Sequence, residues 1–471
     1  MGKTVMDWID QNEKKLIELS DQVWEYAEVA MEEYRSSSLL ADYLEELGFK
    51  VERGVAEMPT AFVASYGKGK PVVGILGEYD ALPGLSQEVD PEQKPIEKGA
   101  PGQGCGHNLF GVASLGAAAA VKEAIDQGKV KGTVRFYGCP AEETLTGKVY
   151  MVKAGLFEDV DISLAWHPGG INSMWIGSDQ AMNSAKFRFY GRTAHAAGDP
   201  WNGRSALDAV ELMNVGSNYL REHIITDARV HYVITNGGEA PNIVPDEAEV
   251  WYYVRAPKRH QVEEIYDRLV KIAEGAALMT ETELEIDFLT GCYNSLHNHT
   301  VGDVLFEKLE EVGAPSFSEA DKAFAEKVSE SFKPKQKETA VSKYSSEAAE
   351  KLMEKPLCDI VIEPQGAGRV SGGSTDVADV SWVTPTAQFT TACNVLGAAG
   401  HSWQFTAAAG MGIGHKGMIT AAKVLGLGAL EFLNDEQLVD KARTEFKNAV
   451  KKNPYSSPLP KEAKPPVKKP K

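Results

Sequence analysis

Short apolar runs alternate with helical stretches through the first third of the chain, and nothing else in the sequence narrows the fold as far. Residues 71–76 read as a strand leading into Gly77-Glu78-Tyr79-Asp80, and 109–125 as an Ala-rich helix. Residues 132–140 form a second strand, stopped by Pro140, and 147–154 a short helix. Residues 161–166 form a third strand that ends in His167. Such alternation predicts an α/β fold, a mostly parallel mixed sheet with helices on both faces. Ahead of it, 36–47 reads as a helix with Ser36 and Ser37 as caps, Leu40, Leu44 and Leu47 on one face, and Gly48 as its stop.

The pattern changes near Ser184. Phe187 and Phe189 alternate with Lys186 and Arg188, as in a half-exposed strand. A helix over 203–222, strands over 229–235 and 248–255, a helix over 260–278 and a strand over 283–289 follow. That β-α-β-β-α-β order predicts an inserted ferredoxin-like α+β domain, 184–296. The remaining segments, 1–183 and 297–471, would then form one discontinuous catalytic, metal-binding domain. A Lys-, Glu- and Ser-rich stretch, 318–355, is expected to be surface helix and loop, with a strand-like segment over 387–396 and a helix over 416–434 beyond it.

Composition removes several functions. A net charge of −18 argues against a broad nucleic-acid surface. The cysteines, Cys105, Cys139, Cys292, Cys358 and Cys393, are odd in number and irregularly spaced, so no disulfide framework is expected. Residues 1–30 lack a basic start followed by an apolar block, and no apolar run approaches membrane-spanning length. A cytoplasmic protein without a membrane partner is the expectation. The last 21 residues carry seven lysines against Glu462, interleaved with six prolines, and read as an extended strap or a disordered end.

The chemistry concentrates at the strand ends, where open parallel sheets place their sites. Asp80, the pair Glu142 and Glu143, His167 and His401 each follow a strand-like run. Cys105 and His107, in Gly104-Cys105-Gly106-His107, open the Ala-rich helix. Thiolate, imidazole and carboxylate together suit zinc, with manganese or cobalt as alternatives, and five candidate ligands exceed one tetrahedral set. Two divalent metal ions sharing a bridging group is the simpler account. Neighbouring residues in extended backbone face opposite sides, so one of Glu142 and Glu143 can bind metal while the other takes a proton from water. Glu142 is taken as the base and Glu143 as the ligand, although spacing alone does not fix that order. A dinucleotide loop at Gly102, Gly104 and Gly106 is rejected, because no strand precedes it and the spacing is wrong. A redox role for Cys105 lacks a Cys-x-x-Cys partner. The remaining histidines, His223, His231, His260, His297, His299 and His415, are expected to be structural or superficial.

Several segments together resemble the metal-dependent aminoacylase/carboxypeptidase family, in its cysteine-containing amidohydrolase branch. They are Gly-Glu-Tyr-Asp-Ala-Leu-Pro (77–83), Gly-Cys-Gly-His-Asn (104–108), Cys-Pro-Ala-Glu-Glu (139–143), Ala-Trp-His-Pro (165–168), Gly-Arg-Thr-Ala-His-Ala (191–196), Pro-Asn-Ile-Val-Pro-Asp (241–246) and Gly-His-Ser-Trp-Gln (400–404). The resemblance implies that Cys105 bridges two metals, with His107, Glu143, His167 and His401 completing the shells. It implies Asp80 steadying a ligand, and His195 stabilising the oxyanion, reaching into a partner subunit's site. It also implies Asn242 and Arg255 holding the substrate's carbonyl and carboxylate. The expected reaction is hydrolysis of N-acyl or N-aroyl amino acids of the p-aminobenzoyl-glutamate kind. A dipeptidase or carboxypeptidase, or a metal-binding subunit active only with a partner, are the alternatives. The inserted domain would serve as lid and dimerisation surface, giving a homodimer or a hetero-oligomer with a related subunit. Other branches carry aspartate at position 105, and many carry histidine near Glu78, which leaves the metal open. The role of Gly372-Gly373-Ser374-Thr375-Asp376 stays unassigned.

Overall fold

The computed structural model describes residues 1–467. Lys468, Lys469 and Lys471 of the basic tail lie outside the described residues. Eleven strands are present among them: β1 (Lys50–Arg53), β2 (Phe62–Lys68), β3 (Val72–Glu78), β4 (Gly132–Cys139), β5 (Ile162–Gly169), β6 (Ser173–Met174), β7 (Ala181–Tyr190), β8 (Arg229–Asn236), β9 (Glu247–Ala256), β10 (Glu283–Cys292) and β11 (Thr386–Ala392). They form two sheets, one of seven strands in the order β1-β2-β4-β3-β5-β11-β6 and one of four in the order β10-β7-β9-β8.

The centre of the large sheet, β4-β3-β5-β11, is parallel, and antiparallel pairings flank it. The parallel strands are buried almost throughout, as strands covered by helices must be. The helix His107–Asp126 lies on β3 and β4, with Gly2–Tyr26 and Gly412–Asn434 packed against it. By length and composition this helix would suit a membrane, but 83% of its apolar window is buried in the protein core. A Cβ on Gly111 would sit 2.6 Å from the Glu78 carbonyl oxygen, so glycine lets the helix rest against the end of β3. That close approach brings His107 to the acids at the strand ends.

The four-stranded sheet is antiparallel throughout, and its chain order with helices Ala206–Leu220 and Arg259–Thr280 is β-α-β-β-α-β. It has its own apolar cluster, built on Phe187, Phe189, Val250 and Leu269. β8 is its open edge and is mostly exposed.

Four local expectations shift, and for the tail the strap is the reading that holds. The helix starts at Tyr34, and the Glu28 carboxylate accepts from the backbone N–H groups of Arg35 (2.9 Å) and Ser36 (2.8 Å), leaving Ser36 and Ser37 buried inside it rather than capping it. β5 runs on to Gly169, which puts His167 within the strand, and β11 ends earlier, at Ala392. Residues 318–355 form the helices Glu319–Ser329, Gln336–Val341 and Ser346–Met353 around a third apolar cluster with Val328, Val341 and Leu352. The tail through Val467 is strapped down: Lys153 Nζ donates to the carbonyls of Pro460 (3.0 Å), Lys461 (3.0 Å) and Ala463 (2.8 Å).

Glu33 stands at the N-cap position of the helix Tyr34–Glu46 without capping it through its side chain, and is fully buried. Its Oε1 accepts from the Ala141 N–H at 2.8 Å. Burial, with Asp80 nearby, raises its carboxyl from 4.5 to about 8. The folded protein holds that proton more tightly than the unfolded chain does, so this contribution to stability is complete below pH 4.5 and lost as pH rises through about 8. Glu33→Gln is expected to flatten the fall in melting temperature across that window. Melting curves of wild type and variant that run parallel with pH would contradict it.

Candidate active site

The strand ends bring eight ionisable side chains into one cluster, mostly buried, with Glu143 and His167 half-buried and His401 exposed at its rim. β3 delivers Glu78 on its last residue and Asp80 two residues beyond it, while β4 delivers the Glu142–Glu143 pair across the turn after Cys139. Ala141 in that turn takes a left-handed φ of 57°, which aims the two acids forward. The turn is hung from two carboxylates, because Glu33 holds the Ala141 N–H and Asp80 Oδ2 accepts from the Glu143 N–H at 2.9 Å. Gly106, at φ 74°, turns the Cys105 loop into the helix that starts at His107. No strand leads into this loop, in keeping with the rejection of a dinucleotide site. His401 lies nine residues past β11, also at positive φ (55°), and its N–H donates to the Gly104 carbonyl at 3.0 Å.

Both inner imidazoles have fixed tautomers. His107 Nδ1 donates to Asp80 Oδ1 (2.9 Å) and His167 Nδ1 to the Pro168 carbonyl (2.9 Å), so each presents Nε2 to the cluster. Cys105 Sγ lies 3.5 Å from His167 Nε2, and Glu143 Oε2 lies 3.4 Å from His401 Nε2. Two groups of potential ligands result, Cys105–His107–His167 and Cys105–Glu143–His401, with donor atoms within 4.8 Å of one another in each. Cys105 is common to both. Two ligands on one zinc at ~2.0–2.3 Å and a tetrahedral angle lie about 3.3–3.6 Å apart, so the two closest pairs match that spacing. His107 Nε2 and Glu143 Oε1 are buried without a hydrogen-bond partner, as expected of atoms whose partner is a cation. The donor set therefore fits divalent metal.

A third group, Glu78–His107–Glu142, lies deeper. Glu78 Oε2 is 3.3 Å and Glu142 Oε2 3.9 Å from His107 Nε2. Burial, reinforced by Glu78, raises the Glu142 carboxyl to about 7. Burial raises the Glu143 carboxyl to about 8, Glu142 adding to it and His107 opposing. Burial also pushes the Cys105 thiol up to about 12 and His167 down to about 3. Asp80 is lowered instead: burial opposes this most strongly, but the bond to His107 and its charge, the Glu143 N–H and the Lys148 charge together outweigh it.

Sequence reasoning missed Lys148 and singled out the segment that ends in Asp376 without assigning it a role. Lys148 is fully buried, with Nζ 2.7 Å from Glu78 Oε1 and 2.5 Å from Asp376 Oδ1, and its N–H donates to Asp376 Oδ2 at 2.8 Å. The one available signal was Glu78 itself, an acid in an apolar strand end that demands a counter-charge. His195 and Asn242 are not brought to the cluster. Both are exposed, on adjoining loops joined by the Ala196 N–H donating to the Asn242 carbonyl at 3.0 Å. His195 Nδ1 accepts from the N–H groups of Ala197 (3.1 Å) and Gly198 (3.0 Å), which puts its proton on Nε2. Arg255 is half-buried, 5.5 Å from the Tyr253 ring centroid, and donates from Nη1 to Ser374 Oγ at 3.1 Å.

Residues 180–280 match the family model of the peptidase dimerisation domain, M20_dimer. The chain is 42% identical over 468 residues to one of the subunits of p-aminobenzoyl-glutamate hydrolase of Escherichia coli (strain K12), covering 98% of this chain and 97% of that protein. It is 31% identical to the Xaa-Arg dipeptidase of Mus musculus, over 66% of this chain and 71% of that protein. In fold it is similar to a dinuclear metal binding peptidase from the M20 family of Bacillus subtilis, with a TM-score of 0.56 at 17% identity, covering 90% of this chain and 99% of that one. Likeness that runs through both sheets, together with acids and imidazoles gathered at the strand ends, settles the assignment: the chain belongs to the M20 peptidase family and is a hydrolase of amide bonds.

Proposed function

We propose that the chain cleaves N-acyl or N-aroyl amino acids, p-aminobenzoyl-glutamate among them, with two divalent cations (zinc or manganese, cobalt being accepted) and Glu142 as general base. The observation that carries this reading is the pair of ligand groups sharing Cys105. Cys105, His107 and His167 would hold one ion, and Cys105, Glu143 and His401 the other. Bound there, the ions would supply Lewis acidity toward a carbonyl and a water. Glu142 belongs to neither Cys105-sharing group, so its carboxylate is free to take the water's proton and pass it to the leaving amine. Asp80 holds the His107 tautomer. Arg255, with no carboxylate paired to it among the described residues, receives the carboxylate of the amino acid, and Asn242, on the loop beside His195, holds its carbonyl in a partner subunit's site. His195, with its proton on Nε2, donates to the developing oxyanion of a partner subunit's site.

The larger body, 1–183 with 297–471, is in this reading the catalytic domain, and 184–296 the lid and dimerisation domain. Exposed Val233 and Ile234 on the β8 edge and Val215 and Tyr219 on the helix Ala206–Leu220 supply an apolar face for a second copy or a related subunit. Five free, buried thiols suit the reducing cytoplasm. The 31% likeness to a dipeptidase supports a second reading, in which the acyl side is itself an amino acid. A panel of N-aroyl amino acids and dipeptides separates the two.

The purified chain with manganese or zinc is expected to release glutamate from p-aminobenzoyl-glutamate and to stop on chelation. No turnover on any N-acylated amino acid or dipeptide, alone or with a related subunit added, would defeat the proposal. Glu142→Gln is expected to retain metal by elemental analysis while losing about 10²–10⁴ in rate. An unchanged rate would remove Glu142 as the base. Sedimentation at micromolar concentration is expected to show a dimer, and a monomer there would exclude the shared-site role of His195.

A further inference from the structure

Arg255 and the metal-type cluster stand on different sheets, whose main apolar clusters meet where Met182, Cys292, Tyr253 and Phe288 of the small sheet touch the large core, so the distance between them is set by what joins the two sheets. A substrate's carboxylate and scissile carbonyl are a fixed few bonds apart. An arginine free to wander would grip the carboxylate without placing the carbonyl. The segment 369–376 spans the gap. It is laced to the crossover that leads into β7, since the Ser371 N–H donates to the Ser178 carbonyl and the Gln180 N–H to the Gly373 carbonyl, both at 2.8 Å. Ser374 Oγ accepts from Arg255 Nη1 at 3.1 Å. Two residues on, Asp376 grips the Lys148 ammonium and N–H, and Lys148 reaches Glu78 beneath His107.

We propose that Ser374 is a positioning residue that sets substrate affinity: it holds the Arg255 guanidinium at a fixed place relative to the catalytic cluster, with Asp376 and Lys148 anchoring the same loop. The inference rests on the amidohydrolase reading and on Arg255 as carboxylate receptor. Guanidinium carries five N–H donors in a planar fork. Ser374 occupies one at Nη1 and the Tyr253 ring lies beside the group, so the orientation of the remaining edge is defined before substrate arrives. Arg255 has no carboxylate paired to it among the described residues, whereas Arg229, opposite it in the β8–β9 register, already donates to the Thr226 and Ala228 carbonyls, both at 2.7 Å. The ligand class stays that of the proposed function, an amino acid with a free carboxylate.

The test uses the full chain with manganese, p-aminobenzoyl-glutamate as substrate, and free glutamate binding by calorimetry as a readout independent of turnover. Ser374→Ala is expected to raise KM and the glutamate Kd about tenfold, the size of one hydrogen bond to a charged group, while kcat stays within about twofold. Ser374→Thr, which keeps the hydroxyl, is expected to restore both. Ser374→Ala added to Arg255→Ala is expected to cost nothing further, because the serine acts only through the arginine. Unchanged KM and Kd in Ser374→Ala, a loss confined to kcat, or an additive effect on Arg255→Ala would each overturn the inference. A wild-type chain that neither cleaves nor binds ends the amidohydrolase reading and this inference together. A wild type that does both while Ser374→Ala matches it ends this inference alone.

Discussion

Burying carboxylates without matching cations is the constraint around which this protein is organised. Glu78, Asp80, Glu142 and Asp376 are all buried within one cluster, where low polarity disfavours every negative charge. Lys148 is the chain's own answer. Burial alone would strip its proton, yet Asp376 and Glu78 hold its pKa well above the ordinary lysine value. Removing one partner from such a pair typically costs about 3–5 kcal/mol, because the other charge is left stranded. One ammonium does not balance this many acids, and the imbalance is what a divalent site relieves.

The same carboxylates do mechanical work on the backbone. Ala141 and Leu145 both hold left-handed φ angles, 57° and 54°, which side-chain-bearing residues adopt at a cost of about 1–2 kcal/mol each. Glu33 and Asp80 grip the N–H groups on either side of Glu142, and the Leu145 N–H closes onto the Glu142 carbonyl at 2.6 Å. Strain held by surrounding bonds at a reacting group is a recurrent feature of enzyme sites. Here it explains why two adjacent acids can serve different ends of the cluster: Glu142 turns inward to Glu78 and His107, Glu143 outward to His401.

Legibility in the sequence followed distance along the chain. Cys105 and His107, or Glu142 and Glu143, are neighbours whose types carry chemistry together, and apolar runs beside them gave the strands. Alternating elements also revealed both sheets. Lys148 and Asp376 are 228 residues apart, and each looks alone like an ordinary surface charge. Glu33 and Ser374 act through backbone or guanidinium contacts that no local pattern announces. Ser36 and Ser37 failed as caps for a related reason: the Glu28 carboxylate, further upstream, outcompeted their hydroxyls for the free N–H groups. Residues 318–355, read as surface by composition, bury Val328, Val341 and Leu352 on single faces too sparse for a charge-rich stretch to advertise.

The two sheets meet through both packing and polar contacts, since Met182, Cys292, Tyr253 and Phe288 of the small sheet reach the large core. Interdigitated side chains fix geometry within each apolar cluster, because a displaced methylene is felt at once. Between the two sheets directional bonds add to that packing: the lacing of 369–373 to 178–180, the Tyr293 N–H to Asp379 Oδ2 at 3.1 Å, and Trp382 Nε1 to the Asn294 carbonyl at 2.6 Å. Asp379 is held in turn by the Tyr455 hydroxyl at 2.8 Å, which makes the C-terminal strap part of the same joint. Hydrogen bonds specify angle and distance where apolar contact specifies only proximity. Where two sheets share only part of a core, the former sets how one is aligned on the other.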